Sequence, residues 1–185
     1  IMGGIATKVA PVANFALGLK PTKVVMDAVL KVDKHRTFPK YTSKTFESWY
    51  RKNVMAFQDS FNHHVSFFHG CYVNYNYPQL GKDLISVMNA LGYGVHLLDK
   101  EKCCGTALIS NCMIDQAKKN AVSNLESIRK SVYERQMPVI GTSSSCNFTI
   151  RDEYPHLLGI DNSDVRNYIE LATRFIYRLI EEDKV

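Results

Sequence analysis

Three short apolar segments, "VSFF" (Val65 to Phe68), "YGVHLL" (Tyr93 to Leu98) and "PVIG" (Pro138 to Gly141), are separated by long stretches with helical spacing of apolar residues. Each is strand-length, and the intervening chain is far too long for a hairpin. Strands that alternate with helices pair in parallel through right-handed crossovers. The expected fold is therefore α/β: an open parallel sheet of Rossmann-like βαβ units.

The connecting helices are legible from their stripes. In "PQLGKDLISVMNALG", Leu80, Leu84, Val87, Met88 and Leu91 fall at helical spacing, and Gly92 stands where a C-terminal cap belongs. A long helix is predicted from about Met113 to Arg135, with Ile114, Ala117, Ala121, Leu125, Ile128 and Val132 on its apolar face. Another is expected to begin near Cys146. A final amphipathic helix is expected from about Asp164 to Glu181, carrying Val165, Tyr168, Ile169, Ala172, Phe175, Ile176 and Leu179. Ahead of these units, residues 1 to 60 read as a helical and irregular segment punctuated by Pro11, Pro21 and Pro39. Residues 61 to 185 read as the α/β domain. "PTKVVMDAVLKVD" and "TSKTFESWYRKNV" are helix candidates in the first part. The chain opens on Ile1 and closes directly after a helical pattern, and we read it as a piece of something longer.

With 185 residues, 45% hydrophobic and 22% charged, the composition is that of a globular protein with a sizeable core. A net charge of +5, without basic runs interleaved with aromatics, speaks against a nucleic-acid surface. No apolar run reaches the length of about 20 residues that spans a bilayer. The first stretch, "IMGGIATKVAPVANFALGL", is interrupted by Lys8 and Pro11 and suits a helix lying on a membrane surface or docking on a partner.

The chemistry lies in the cysteines. Cys71 follows the first strand, the adjacent Cys103 and Cys104 follow the second, and Cys146 follows the third. In a parallel sheet all the strand carboxyl ends share one edge, where ligands bind, so these four thiols are expected to converge. Sulfur-only coordination selects zinc or an iron–sulfur cluster. Structural zinc usually takes C-x2-C pairs, which are missing here, so the spacing favours the larger cluster. Gly105 would let the backbone approach it without a side chain. Zinc in a non-redox interaction domain, and metal-free thiol–disulfide chemistry at Cys103 or Cys104, remain the alternatives. Cys112 matches no motif and reads as an incidental or buried thiol. His69 reads as a hydrogen-bonded loop residue, and Thr142 to Ser145 as hydroxyls and N–H groups that either tune a cluster potential or cap the helix. Asn74 reads as a turn residue within reach of a sulfur. "RDEYP" (Arg151 to Pro155) reads as a charged helix end.

"HGC" at Cys71, "CCG" at Cys103 to Gly105 and a later strand-end cysteine together resemble the cysteine-rich CCG domain. That domain occurs in heterodisulfide reductase B subunits, in lactate and glycolate oxidation proteins, and in C subunits of anaerobic glycerol-3-phosphate dehydrogenases. "KVDKHRTFPKYTSKTFESWY", "CCGTALISN" and "SSCNFTIRDEYP" are similar to the last group. The resemblance implies a 4Fe-4S type cluster on Cys71, Cys103, Cys104 and Cys146, and electron transfer from a flavoprotein subunit toward menaquinone. It also implies a second partner subunit and a peripheral location on the cytoplasmic face of the inner membrane. CCG domains usually end in C-x-x-C; here Ser143 holds the first of those positions, leaving four matching cysteines.

Overall fold

The computed structural model describes residue 4 and residues 7–184; parts of the opening stretch discussed above, residues 1–3, 5 and 6, lie outside the described residues. Beyond helical residues 4, 7 and 8 lie α1 (Ala10–Gly18) and α2 (Lys20–Leu30), followed by irregular chain. Asn14 ties α1 to that chain through a reciprocal pair of 2.8 Å hydrogen bonds with the Tyr41 backbone. Helix α3 (Phe46–Asn53) begins at Thr45, whose hydroxyl accepts the Ser48 N–H at 3.1 Å. Glu47 in its first turn and Arg51 and Lys52 in its last complement the helix dipole.

The sheet contains β1 (His63–Phe68), β2 (Tyr93–Leu97), β3 (Val139–Gly141) and β4 (Ile169–Leu171). All pairings are parallel, in the order β2-β1-β3-β4. Val65 pairs with Val95, Phe67 with both Leu97 and Ile140, and Val139 with Ile169. Between the strands run α4 (Gly70–Tyr75), α5 (Pro78–Ala90), α6 (Thr106–Ser110), α7 (Ile114–Arg129), α8 (Ser144–Phe148) and α9 (Tyr154–Leu158), and α10 (Ala172–Glu181) closes the chain. Short π-helical turns at Lys130–Glu134 and Thr149–Glu153 continue α7 and α8.

Strand alternation divides the apolar residues into two cores, one on each face of the sheet. Val65, Phe67, Val95 and Ile140 meet Phe46, Tyr50, Met88, Phe175 and Leu179 on one side. On the other, Phe68, Val139 and Ile169 meet Leu125, Ile128, Ile150 and Tyr154. The residues from Phe46 onward thus contribute directly to the first core, and the Tyr50 hydroxyl donates to the Val95 carbonyl at 2.8 Å. The outer edge of β2 is covered in part by Gln58, whose side-chain oxygen accepts the Val95 N–H at 2.8 Å.

The three expected strands and the α/β class are as read from the sequence, and Gly92 has the left-handed φ of +82° expected after α5. One expectation is corrected. The predicted helix over 164–181 is a 3-10 turn (Arg166–Tyr168), then β4, and only then α10. Ile169 does not share a helical face with Phe175 and Leu179. It is buried in the second core whereas they are buried in the first, and Tyr168 is exposed. The open edge of β3 gains a ladder partner, which decides this stretch in favour of strand.

Candidate cysteine site

The strand order places the change of winding direction between β1 and β3, where crossovers depart to opposite sides and leave a crevice at the carboxyl ends. Cys71 lies in the first turn of α4, just beyond β1; Cys103 and Cys104 lie in the loop between β2 and α6; Cys146 lies in α8, just beyond β3. The four thiols form a continuous row. The Cys71 thiol interacts with Cys103, Cys103 with Cys104, and the Cys104 and Cys146 sulfurs are 3.2 Å apart. Cys112, the fifth cysteine, is exposed in the turn after α6 with φ of +57°, away from a helical or strand conformation.

Hydrogen bonding along the row alternates the sulfur charges. Hydrogen bonding with Cys104 and Cys71 holds the Cys103 thiol far below the usual range, and Cys104, whose single proton goes to Cys146 in the 3.2 Å pair, lowers Cys146 as well. Cys71 and Cys104, as the donors, are pushed up by those bonds and by burial. The row therefore favours thiolate at Cys103 and Cys146 and thiol at the other two.

The loops that carry the thiols are fixed by buried polar groups. Glu101, with its side chain only 6% exposed, accepts the Gly70 N–H at 2.8 Å and the His69 N–H at 3.0 Å. Its carboxylate also stands 3.2 Å from His69 Nδ1. One side chain beyond β2 thus holds the turn that presents Cys71. Burial pushes the Glu101 carboxyl above the usual carboxylate range, against the lowering effect of His69 and the two amides. His69 is the hydrogen-bonded loop residue expected, packed edge-on against Phe46. Asn74 does not serve a sulfur: its oxygen accepts the Glu47 N–H at 3.0 Å in α3.

On the other side, Cys104 Sγ lies 3.2 Å from Thr106 Oγ1, which is 2.7 Å from Thr149 Oγ1, and Thr149 donates to Glu153 Oε2 at 2.5 Å. Ser143 caps α8 by accepting the Cys146 N–H at 3.3 Å. In "RDEYP", Asp152 pairs with Arg166 at 2.8 Å, as the charged reading expects, but Tyr154 is fully buried below the site. Sequence reasoning missed Glu101, Thr106, Asn124, Thr149 and Tyr154. Only Glu101, adjacent to the cysteine motif, carried any local signal.

Among the described residues no group of three or more His, Cys, Asp or Glu side chains surrounds a point in the manner of a single metal ion. Two thiolates on one tetrahedral zinc, at about 2.3 Å from it, sit roughly 3.8 Å apart, so the 3.2 Å pair is a hydrogen-bonded one. The donor set nevertheless fits a larger sulfur-ligated group: four soft ligands face one crevice, and small residues leave it open. Gly70, with φ of +70°, would place a Cβ 3.6 Å from Cys146 Sγ, and Gly105 has φ of +102° beside Cys104. Next to Cys146, both amide atoms of the buried Asn147 lack a partner. Orphaned polar groups at this depth call for a further hydrogen-bonding species.

Comparison with known proteins agrees with this geometry. Residues 65–151, which contain all four thiols, match the family model described as CCG, cysteine-rich domain. Over 184 residues, 100% of this chain, it is 54% identical to the C subunit of the anaerobic glycerol-3-phosphate dehydrogenase of Escherichia coli strain K12, covering 46% of that protein. It is 29% identical to the B subunit of the fumarate reductase (CoM/CoB) of Methanothermobacter marburgensis over 91 residues, 49% of this chain and 18% of that one. Against the lactate utilization protein A of Bacillus subtilis it is 31% identical over 97 residues, 52% of this chain and 38% of that one. No solved structure matches. The chain spans about half the length of the glycerol-3-phosphate dehydrogenase relatives it matches. In residues 65–151, with its cysteines gathered at the strand ends, the chain carries a cysteine-rich domain of the CCG family.

Proposed function

We propose that Cys71, Cys103, Cys104 and Cys146 hold an iron–sulfur cluster of the 4Fe-4S type. In this reading the chain is an electron-transfer part of an anaerobic glycerol-3-phosphate dehydrogenase, which receives electrons from a flavoprotein subunit and passes them toward menaquinone. The observation that carries the reading is the gathering of four thiols from three strand ends into one row, in a chain 54% identical to the C subunit of such an enzyme. When bound, a cluster supplies a one-electron store at the sheet edge. The protein's own residues do the rest. Hydrogen bonds hold the Cys103 and Cys146 thiols below the usual range, toward the thiolate that is the ligand form. Glu101 holds the Cys71 turn against the Cys103 loop, and Thr106 Oγ1 stands 3.2 Å from the Cys104 sulfur. The buried Asn147 amide next to Cys146, which lacks a partner in the chain, would be free to hydrogen-bond such a cluster.

Anaerobic reconstitution with iron and sulfide, followed by iron and sulfide analysis and EPR, tests the assignment. The expected result is an EPR-active cluster that is lost in Cys104→Ser and Cys146→Ser. A chain that takes up no iron under these conditions defeats it. Zinc found in stoichiometric amount after purification without air would favour a structural-metal reading instead.

Charge distribution supports a location at an anionic membrane surface. Residues 1–44 hold eight Lys and Arg against Asp27 and Asp33, a balance of +6, while the remainder balances at −1, with 15 basic and 16 acidic residues. No residue of α2 is buried, and Val25, Val29 and Leu30 are more than half exposed beside this charge. Among the described residues no helix is long and apolar enough to cross a membrane. Basic, apolar helices of this kind lie in the interface instead. Flotation with anionic vesicles, but not with zwitterionic ones, is expected, and Val25→Asp with Val29→Asp should abolish it. Equal flotation of both proteins ends the idea.

A further inference from the structure

The vicinal cysteines face a hazard of their own. Adjacent thiols can close an eight-membered disulfide ring, which would remove two ligands at once. Closing that ring requires the peptide between them to twist out of its relaxed trans geometry. Around Cys103 and Cys104 the structure pins three peptide groups: the one before Lys102, the one between the two cysteines and the one after Cys104. The Lys102 N–H donates to Asn124 Oδ1 at 2.8 Å. The Cys103 carbonyl accepts from Asn120 Nδ2 at 3.2 Å and, more weakly, from Asn124 Nδ2 at 3.4 Å. The Cys104 carbonyl accepts the Tyr154 hydroxyl at 2.9 Å, and that hydroxyl accepts from Asn124 Nδ2 at 3.0 Å. Asn124 and Tyr154 are both 0% exposed, so no water competes for these bonds. The outcome is visible in the thiols: Cys103 meets Cys71 as well as its neighbour, and Cys104 reaches Cys146.

We infer that Tyr154 and Asn124 are positioning residues that lock the backbone on both sides of Cys104, Asn124 with Asn120 at the Cys103–Cys104 peptide and Tyr154 at the next one while it holds Asn124, so that the two thiols do not close on each other. This deepens the reading above, since vicinal thiols kept from closing on each other are what a shared cluster needs, but the lock itself is a property of the chain without metal.

The test is a disulfide map. The reduced chain is treated with diamide, an azo oxidant that takes up two electrons and two protons for each disulfide formed, then digested and analysed by mass spectrometry. The native chain is expected to give Cys104–Cys146, the pair 3.2 Å apart, as its main product. Tyr154→Phe removes only the hydroxyl and should raise the ratio of Cys103–Cys104 to Cys104–Cys146 at least tenfold. Asn120→Ala, at a half-buried position, removes the direct bond to the Cys103 carbonyl and should raise the ratio too, which keeps the test open should Tyr154→Phe fail to fold. Phe175→Leu loosens the opposite face of the sheet and should leave the native ratio. The inference is overturned if Tyr154→Phe, or Asn120→Ala where it alone folds, keeps the native ratio, or if Phe175→Leu shifts it equally. A chain that binds no iron yet gives this map loses the cluster reading and keeps the lock; one that binds iron with an unchanged Tyr154→Phe map does the reverse.

Discussion

Glu101→Gln separates the charge of the buried carboxylate from its shape. In the native chain one oxygen accepts the Gly70 N–H at 2.8 Å and the other accepts the His69 N–H at 3.0 Å. A glutamine can present only one oxygen. Its amide nitrogen must then face the second backbone N–H, which leaves a buried donor unpaired at a cost of about 1–3 kcal/mol, and a charge-assisted bond is weakened by roughly 1 kcal/mol more. The expected loss is about 2–4 kcal/mol, a large share of the roughly 5–15 kcal/mol that stabilises a typical domain. Urea unfolding under argon with reductant should show the midpoint falling by about 1 M, with an unchanged slope. The pH dependence gives a second, independent reading. Burial raises the Glu101 carboxyl in the folded chain, so between the ordinary glutamate value and that raised value the folded state binds more protons than the unfolded one. Stability contributed by this group is therefore present at low pH and lost as pH rises through the window. Glu101→Gln has no such proton, so the difference between the two proteins should widen as pH falls. A variant within about 0.5 kcal/mol of native at pH 7, or a gap that shrinks on acidification, refutes the role assigned to Glu101.

Gly81→Ala should destabilise even though alanine is the better helix former. A Cβ there would stand 2.6 Å from a ring carbon of the fully buried Phe46 and 2.8 Å from Val73 Cγ1, and overpacking of about 1–3 kcal/mol exceeds the propensity gain of roughly 1 kcal/mol; thermal unfolding reads the sign. Iodoacetamide at pH 7 should alkylate Cys103 well before Cys104, because hydrogen bonding with Cys104 and Cys71 favours its thiolate while Cys104 is buried at 3% exposure; labelling in the reverse order, followed by mass spectrometry, contradicts the charge alternation along the row. Thr149→Val cuts the link between Thr106 and Glu153 and should cost about 1–2 kcal/mol in urea unfolding, with Thr149→Ser recovering most of it.

What the sequence made legible follows from the range of its signals. Strand ends of a parallel sheet lie on one edge whatever the helices do, so locating β1, β2 and β3 was enough to gather Cys71, Cys103, Cys104 and Cys146. Periodicity failed where two signals coincided. Val165, Ile169 and Ala172 satisfy a helical spacing, yet Val165 and Ile169 belong to one core and Ala172 to the other, a distinction that exists only once the sheet has two faces. The groups that orient the thiols were out of reach for a different reason. Asn124 and Tyr154 meet the cysteine loop across about 20 and 50 residues of chain, and an asparagine in a helix or a tyrosine after acidic residues has no pattern that announces a buried partner. The ligands could be found because chemistry restricts them to cysteine; the residues that aim them could not, because any buried donor at the right place would do. The residues that aim the thiols therefore offer the sharper test of the site, since changing them leaves every candidate ligand in place.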